Sequence, residues 1–331
     1  MSLFFNDEKN LVNLSNSILS YYGITPFHKT LTELDEILKA KKKKKICLIL
    51  LDGFGKAIQE IYKDHCPYIK SKPFLEMTSV FPPTTAAATT ALISGKYPCE
   101  TGWLGWTEKF DRYPVPSIMF YQQLEDEKQT KMDVSSYDLC PYEDIFSLLK
   151  KKGIKSEPLR SFLYPEKTIK DFFDIADRKL KENDFLYVYH TNPDSMLHTY
   201  GVGSKEVGDV ISSFDVAIKK LVENNEDTLF LLLADHGHKN AIYYPIDEHP
   251  DFFSCLKYPF YSLEGRAALF CVKEGKEHKF KSCYEKYYKE HFYCFSKEEI
   301  DKNNLFGYGK HAKRYDEVLN GFLLVSKDSS C

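Results

Sequence analysis

The sequence predicts an α/β fold, a doubly wound, mostly parallel sheet between helix layers, with a small β-α-β insertion. Three observations carry this prediction. Short, nearly continuous apolar runs occur at Ile46–Leu51, Phe185–Tyr189 and Leu229–Ala234, and each leads into acidic residues. Runs of that length suit strands covered on both faces, as in a parallel sheet. Helical periodicity lies between the runs, and from about Phe252 the texture changes to a strand, a helix and a second strand.

Taken in order, the first run is "KICLILLDGFG", which ends in Asp52 and Gly53. The basic run Lys41–Lys45 before it reads as a solvated lead into the strand rather than a binding patch. Next comes "FPPTTAAATTALISGKYP", where prolines give way to a segment of good helix propensity from Ala86 to Ile93. Segment 167–181 carries a weak helical stripe and precedes "NDFLYVYHTNPDSMLH", the second buried strand, which passes to His190 and Asp194. Val207, Ile211, Phe214, Ile218 and Leu221 then recur at three- and four-residue spacing and form one apolar helix face. The third strand, "DTLFLLLADHGH", delivers Asp235 and His236.

Beyond it, "GRAALFCVKEG" reads as a strand, "EHKFKSCYEKYYKEH" as a helix, and "FYCFSKEEI" as a strand with a following turn. The predicted organisation is an α/β core over 1–251, a small insertion or cap over 252–306, and a return to the core over 307–331.

Composition narrows the class. A net charge of −3 gives no electrostatic footprint for a nucleic acid polymer. No segment reaches the roughly 18 apolar residues of a membrane span, and the opening residues lack the pattern of a signal peptide. Nine scattered cysteines, without a Cys-x-x-Cys pair, fit a reducing compartment, so the expected location is cytoplasmic. Oligomeric state is not legible.

In doubly wound sheets, ligands bind beyond the carboxyl ends of the strands. All three acidic clusters lie at such ends, so they can converge. Asp194 and His198 share a face if the backbone there is helical, and both suit a divalent ion such as zinc. Asp235 and His236 follow a buried strand, and Gly237 permits a tight turn; Asp52-Gly53 repeats the form. Each alone could be an Asx-turn or helix cap. Three together at convergent strand ends favour one shared metal site. Thr84 and Thr85 precede a helix whose N-terminus attracts phosphate. Their hydroxyls either cap the helix or, beside a metal, furnish a nucleophile.

Asp52, "PPTTAAATTALISGKYP", "NPDSMLH" and "ADHGH", in that order, resemble the alkaline phosphatase superfamily, nearest the type I phosphodiesterase/nucleotide pyrophosphatase family. The resemblance implies hydrolysis of small phosphate esters at two divalent ions, zinc by type. Thr85 would be the nucleophile, forming a covalent phosphothreonine with help from the Ala86 N–H. It implies one metal on Asp52, Thr85, Asp235 and His236, and another on Asp194, His198 and a histidine near the C-terminus. His311, in "GYGKHAKRYDEV", is nearest in sequence to that place. His238 and His249 are the other histidines considered, and a missing ligand is the remaining alternative.

Relatives acting on nucleotide diesters resemble one another in a phosphoryl-contacting Asn where this chain has Trp106. That ring either replaces one donor with its indole N–H or packs in the core. A phosphonate hydrolase, a phosphomutase and an inactive phosphoester-binding relative stand as alternatives. No Walker spacing, Gly-x-Ser-x-Gly elbow or sulfatase motif competes.

Overall fold

The computed structural model describes residues 3–41 and 45–331. The middle of the lysine run, 42–44, lies outside the described residues. Strands are numbered in chain order: β1 (Lys45–Leu51), β2 (Thr107–Glu108), β3 (Ser117–Ile118), β4 (Gln123–Leu124), β5 (Ser156–Arg160), β6 (Phe185–His190), β7 (Thr228–Leu233), β8 (Ser262–Glu264), β9 (Ala267–Phe270), β10 (Phe292–Phe295) and β11 (Phe322–Ser326).

The three apolar runs and β5 form one parallel sheet in the order β5-β6-β1-β7. Register fixes where the strand ends lie. Leu51 pairs with His190, and Leu50 with Leu233, so Asp52 leaves β1 level with Asp235 beyond β7. Alternate residues of these strands point to opposite faces. On one face, Leu48, Leu50, Tyr187 and Tyr189 share a core with helices Leu11–Tyr21 and Thr85–Ser94. On the other, Cys47, Ile49, Leu51, Leu186 and Val188 pack with helices Ile169–Leu180 and Lys205–Asn224. Both faces are covered, which is why the strands read as unbroken apolar runs. The predicted α/β architecture is present.

Helix Thr85–Ser94 is buried along its whole length. Five small residues, Thr85 to Thr89, begin it, so it can lie close against the sheet without an apolar stripe. Gly95, at φ 69°, ends it in the left-handed conformation that glycine adopts without strain.

The second sheet is antiparallel, in the order β10-β11-β9-β8-β2-β3-β4. The expected β-α-β unit corresponds to β9, helix Glu277–Tyr287 and β10, with β11 inserted between its two strands. After β10 the chain forms helix Lys297–Lys302 rather than only a turn. Ser296 and Glu299 make a reciprocal capping box there. No helix among the described residues is long and apolar enough to cross a membrane.

Candidate metal centre

Asp52 is buried where β1 ends, and its backbone oxygen accepts the Asp194 N–H at 3.0 Å. Asp235 is fully buried, and its Oδ1 accepts the N–H groups of Gly53 (3.1 Å) and His236 (3.0 Å). Over these strand ends stands the start of helix Thr85–Ser94. Thr84 is its N-cap residue, yet the Thr84 hydroxyl makes no capping bond. The Thr85 hydroxyl points into the cluster. Its Oγ1 lies 3.3 Å from Asp52 Oδ1, 3.4 Å from Asp52 Oδ2 and 3.0 Å from His236 Nε2. Asp52, Asp235 and His236 offer ligand atoms within 4.8 Å of one another.

A second group lies beside the first. Asp194 opens helix Asp194–Tyr200, and the four-residue spacing brings His198 Nε2 to 3.3 Å from Asp194 Oδ2. His238 completes the group, with Nδ1 3.2 Å from Asp194 Oδ1 and its ring edge-on to His198 at 4.6 Å between centroids. Glycine makes the two groups neighbours. Gly53 sits at φ +70°, and a Cβ there would meet Asp194 Oδ1 at 2.8 Å.

Protonation reflects crowded charge. Burial and the Asp52 charge push the Asp235 carboxyl up to about 8. Burial alone would raise Asp194, but hydrogen bonds from His198 and His238 outweigh it and hold that carboxyl well below the usual range. Burial would lower His236, but the charges of Asp235 and Asp52 prevail and raise it. Asp235 Oδ2 is buried without a hydrogen-bond partner. An unpaired buried carboxylate oxygen facing a second carboxylate and an imidazole is a costly arrangement that a cation satisfies. Carboxylate and imidazole donors suit zinc or another borderline divalent ion. The residues fit a metal.

The structure therefore brings Asp52, Thr85, Asp235 and His236 together, and sets Asp194 with His198. It does not bring His311 to them. His311 is exposed, lies tilted against Tyr315 with ring centroids 3.9 Å apart and belongs to neither group; the residue grouped with Asp194 and His198 is His238. His249 stacks on Tyr287, also at 3.9 Å. Ala86 is fully buried in the first turn of the Thr85 helix. Trp106 is half-buried, edge-on to Phe120 and Tyr121, with its backbone N–H donating to Leu263 O. Sequence reasoning missed Tyr189, whose hydroxyl donates to Asp52 Oδ2 at 2.5 Å. The signal was present in "LYVYH", since a phenol inside a buried strand needs a polar partner.

Residues 155–314 match the model of the type I phosphodiesterase / nucleotide pyrophosphatase family. That match spans 160 of the chain's 331 residues. The match takes in the Asp194, His198, Asp235, His236 and His238 positions; Asp52 and Thr85 precede it. No curated protein matches the chain in sequence.

Solved structures share its alkaline-phosphatase-like fold. Murine ectonucleotide pyrophosphatase/phosphodiesterase 5, in an inactive threonine-to-alanine form in complex with AMP, is 16% identical, with a TM-score of 0.61 over 87% of this chain and 79% of that one. The human protein is 17% identical, with a TM-score of 0.61 over 86% and 79%. Phosphonoacetate hydrolase from Sinorhizobium meliloti 1021, in complex with phosphonoformate, is 14% identical, with a TM-score of 0.65 over 87% and 82%.

Proposed function

We propose that this chain hydrolyses small phosphoric esters, of phosphodiester or nucleotide pyrophosphate type, through a covalent phosphothreonine on Thr85. One observation carries the reading: Thr85 Oγ1 lies between Asp52 and His236 at a helix N-terminus. First-turn N–H groups have no partner within their helix, so the Ala86 N–H can receive a phosphoryl oxygen. The Thr85 oxygen bonds to phosphorus as the ester P–O bond breaks, and the hydroxyl proton leaves with the departing alcohol. Water then cleaves the phosphothreonine and restores the hydroxyl. Two divalent ions, zinc by donor set, would be held by Asp52, Thr85, Asp235 and His236, and by Asp194, His198 and His238; they would supply charge stabilisation and activate the attacking oxygens.

Trp106 is assigned to the substrate side, in the place where the resemblance puts an asparagine. All nine cysteines are free thiols, which supports a cytoplasmic assignment. A second reading, phosphonate hydrolysis, draws on the phosphonoformate complex of the similarly folded phosphonoacetate hydrolase. Turnover of aryl phosphate mono- and diesters and of phosphonoacetate, with and without zinc, separates the two. In the same assays Thr85→Ala should abolish turnover and leave folding nearly intact, while Thr84→Ala is mild. Normal turnover by purified Thr85→Ala protein overturns the nucleophile.

A further inference from the structure

The two buried aspartates of the first group each have one oxygen committed to the protein. In Asp235 that oxygen is Oδ1, held by the Gly53 and His236 N–H groups, and Oδ2 has no partner. In Asp52 it is Oδ2, which accepts the Tyr189 hydroxyl at 2.5 Å, while Oδ1 lies 3.2 Å from His236 Nε2. Asp235 thus takes its orientation from the backbone, and Asp52 takes it from a side chain.

That side chain is well placed to hold an angle. Tyr189 is 8% exposed, on the central strand β6. Register pairs it with Leu50, two residues before Asp52, so strand alternation puts all three on one sheet face. Its ring lies parallel to that of Tyr187 at 6.4 Å and edge-on to Phe162 at 6.2 Å. A carboxylate on a short stem rotates unless its second oxygen is tied, and such ties govern how well a ligand presents its first oxygen.

We propose that Tyr189 is a positioning residue for the metal centre, its hydroxyl tying Asp52 Oδ2 so that Oδ1 faces the ion and Thr85. The proposal rests on the two-metal reading above. It predicts that one bound ion depends on the phenol and the other does not, because Asp194, His198 and His238 do not touch Tyr189.

The test is zinc titration of the full chain against a chromophoric chelator, with Tyr189→Phe, Tyr189→Leu and Tyr187→Phe beside the wild type. Tyr189→Phe should weaken one of two zinc sites by roughly ten- to a hundredfold, with a melting temperature of the metal-free protein close to wild type. Tyr189→Leu also empties the ring's volume, so it should melt lower without weakening zinc further. Tyr187→Phe, on the same face, should bind zinc as the wild type does. Unchanged zinc affinity in Tyr189→Phe overturns the inference alone. Wild-type protein that binds no zinc overturns the two-metal reading and the inference together. A Tyr189→Phe chain that unfolds even with zinc present assigns the phenol to stability and overturns the positioning role.

Discussion

Glu108 shows how a single buried carboxyl sets a pH response away from the metal centre. It is fully buried in β2, Oε1 accepts the Leu104 N–H at 2.7 Å, and Oε2 has no partner. Burial pushes the carboxyl from 4.5 up to about 8. Across that window the unfolded chain ionises Glu108 while the folded chain keeps its proton. Stability is therefore greatest below pH 4.5 and is lost as pH rises toward 8, by up to roughly 1.4 kcal/mol per pH unit for this one group. Glu108→Gln cannot titrate. Denaturant unfolding at pH 5 and pH 8 should show the variant gaining on the wild type at the higher pH; an equal difference at both removes the proposed origin. At the centre, Asp52, Asp235 and His236 were legible because each is a polar group at the end of an apolar run, and Thr85 because its hydroxyl stands where a small-residue helix begins. Tyr189 gave a weaker signal, because tyrosine also serves as an ordinary strand residue.

Among the elements, those carrying long apolar patterns were legible and short ones were not. Strands β1, β6 and β7 are covered on both faces, and the stripe from Val207 to Leu221 lies on helix Lys205–Asn224. Strands β2, β3 and β4 have two residues each, too few for any periodicity to register. Gly53 joins the elements at the centre, and its substitution tests that joint. Alanine there takes a left-handed backbone, costing about 1–2 kcal/mol, and its Cβ meets Asp194 Oδ1 at 2.8 Å. Gly153 has a similar φ of +76° with nothing within 4 Å of an added Cβ. Both Gly53→Ala and Gly153→Ala should lower the melting temperature, but only Gly53→Ala should also weaken zinc at Asp194, His198 and His238. Equal zinc binding in the two variants would show that Gly53 is needed for its backbone alone.

At the scale of the whole molecule, every residue of the two candidate ligand groups follows a strand of the parallel sheet. Asp52 follows β1, Asp194 and His198 follow β6, and Asp235, His236 and His238 follow β7. The segment carrying His311 is held elsewhere. Cys99 N–H donates to Phe306 O and Ala312 N–H to Cys99 O, which fastens residues 306–312 beside helix Pro98–Thr101. The expected histidine near the C-terminus was a feature of the resemblance, and nothing in the sequence placed His311 at the sheet edge. His238 was one of the other histidines considered, and its Nδ1 lies 3.2 Å from Asp194 Oδ1. Metal analysis of two variants follows from this arrangement. His238→Ala should hold one zinc tightly and lose the other on dialysis, since two protein ligands remain at Asp194 and His198. His311→Ala, which removes only an exposed ring tilted against Tyr315, should keep wild-type stoichiometry. Loss of zinc from His311→Ala with full retention by His238→Ala would reverse the assignment, and it would require residues 306–312 to leave helix Pro98–Thr101 when metal binds.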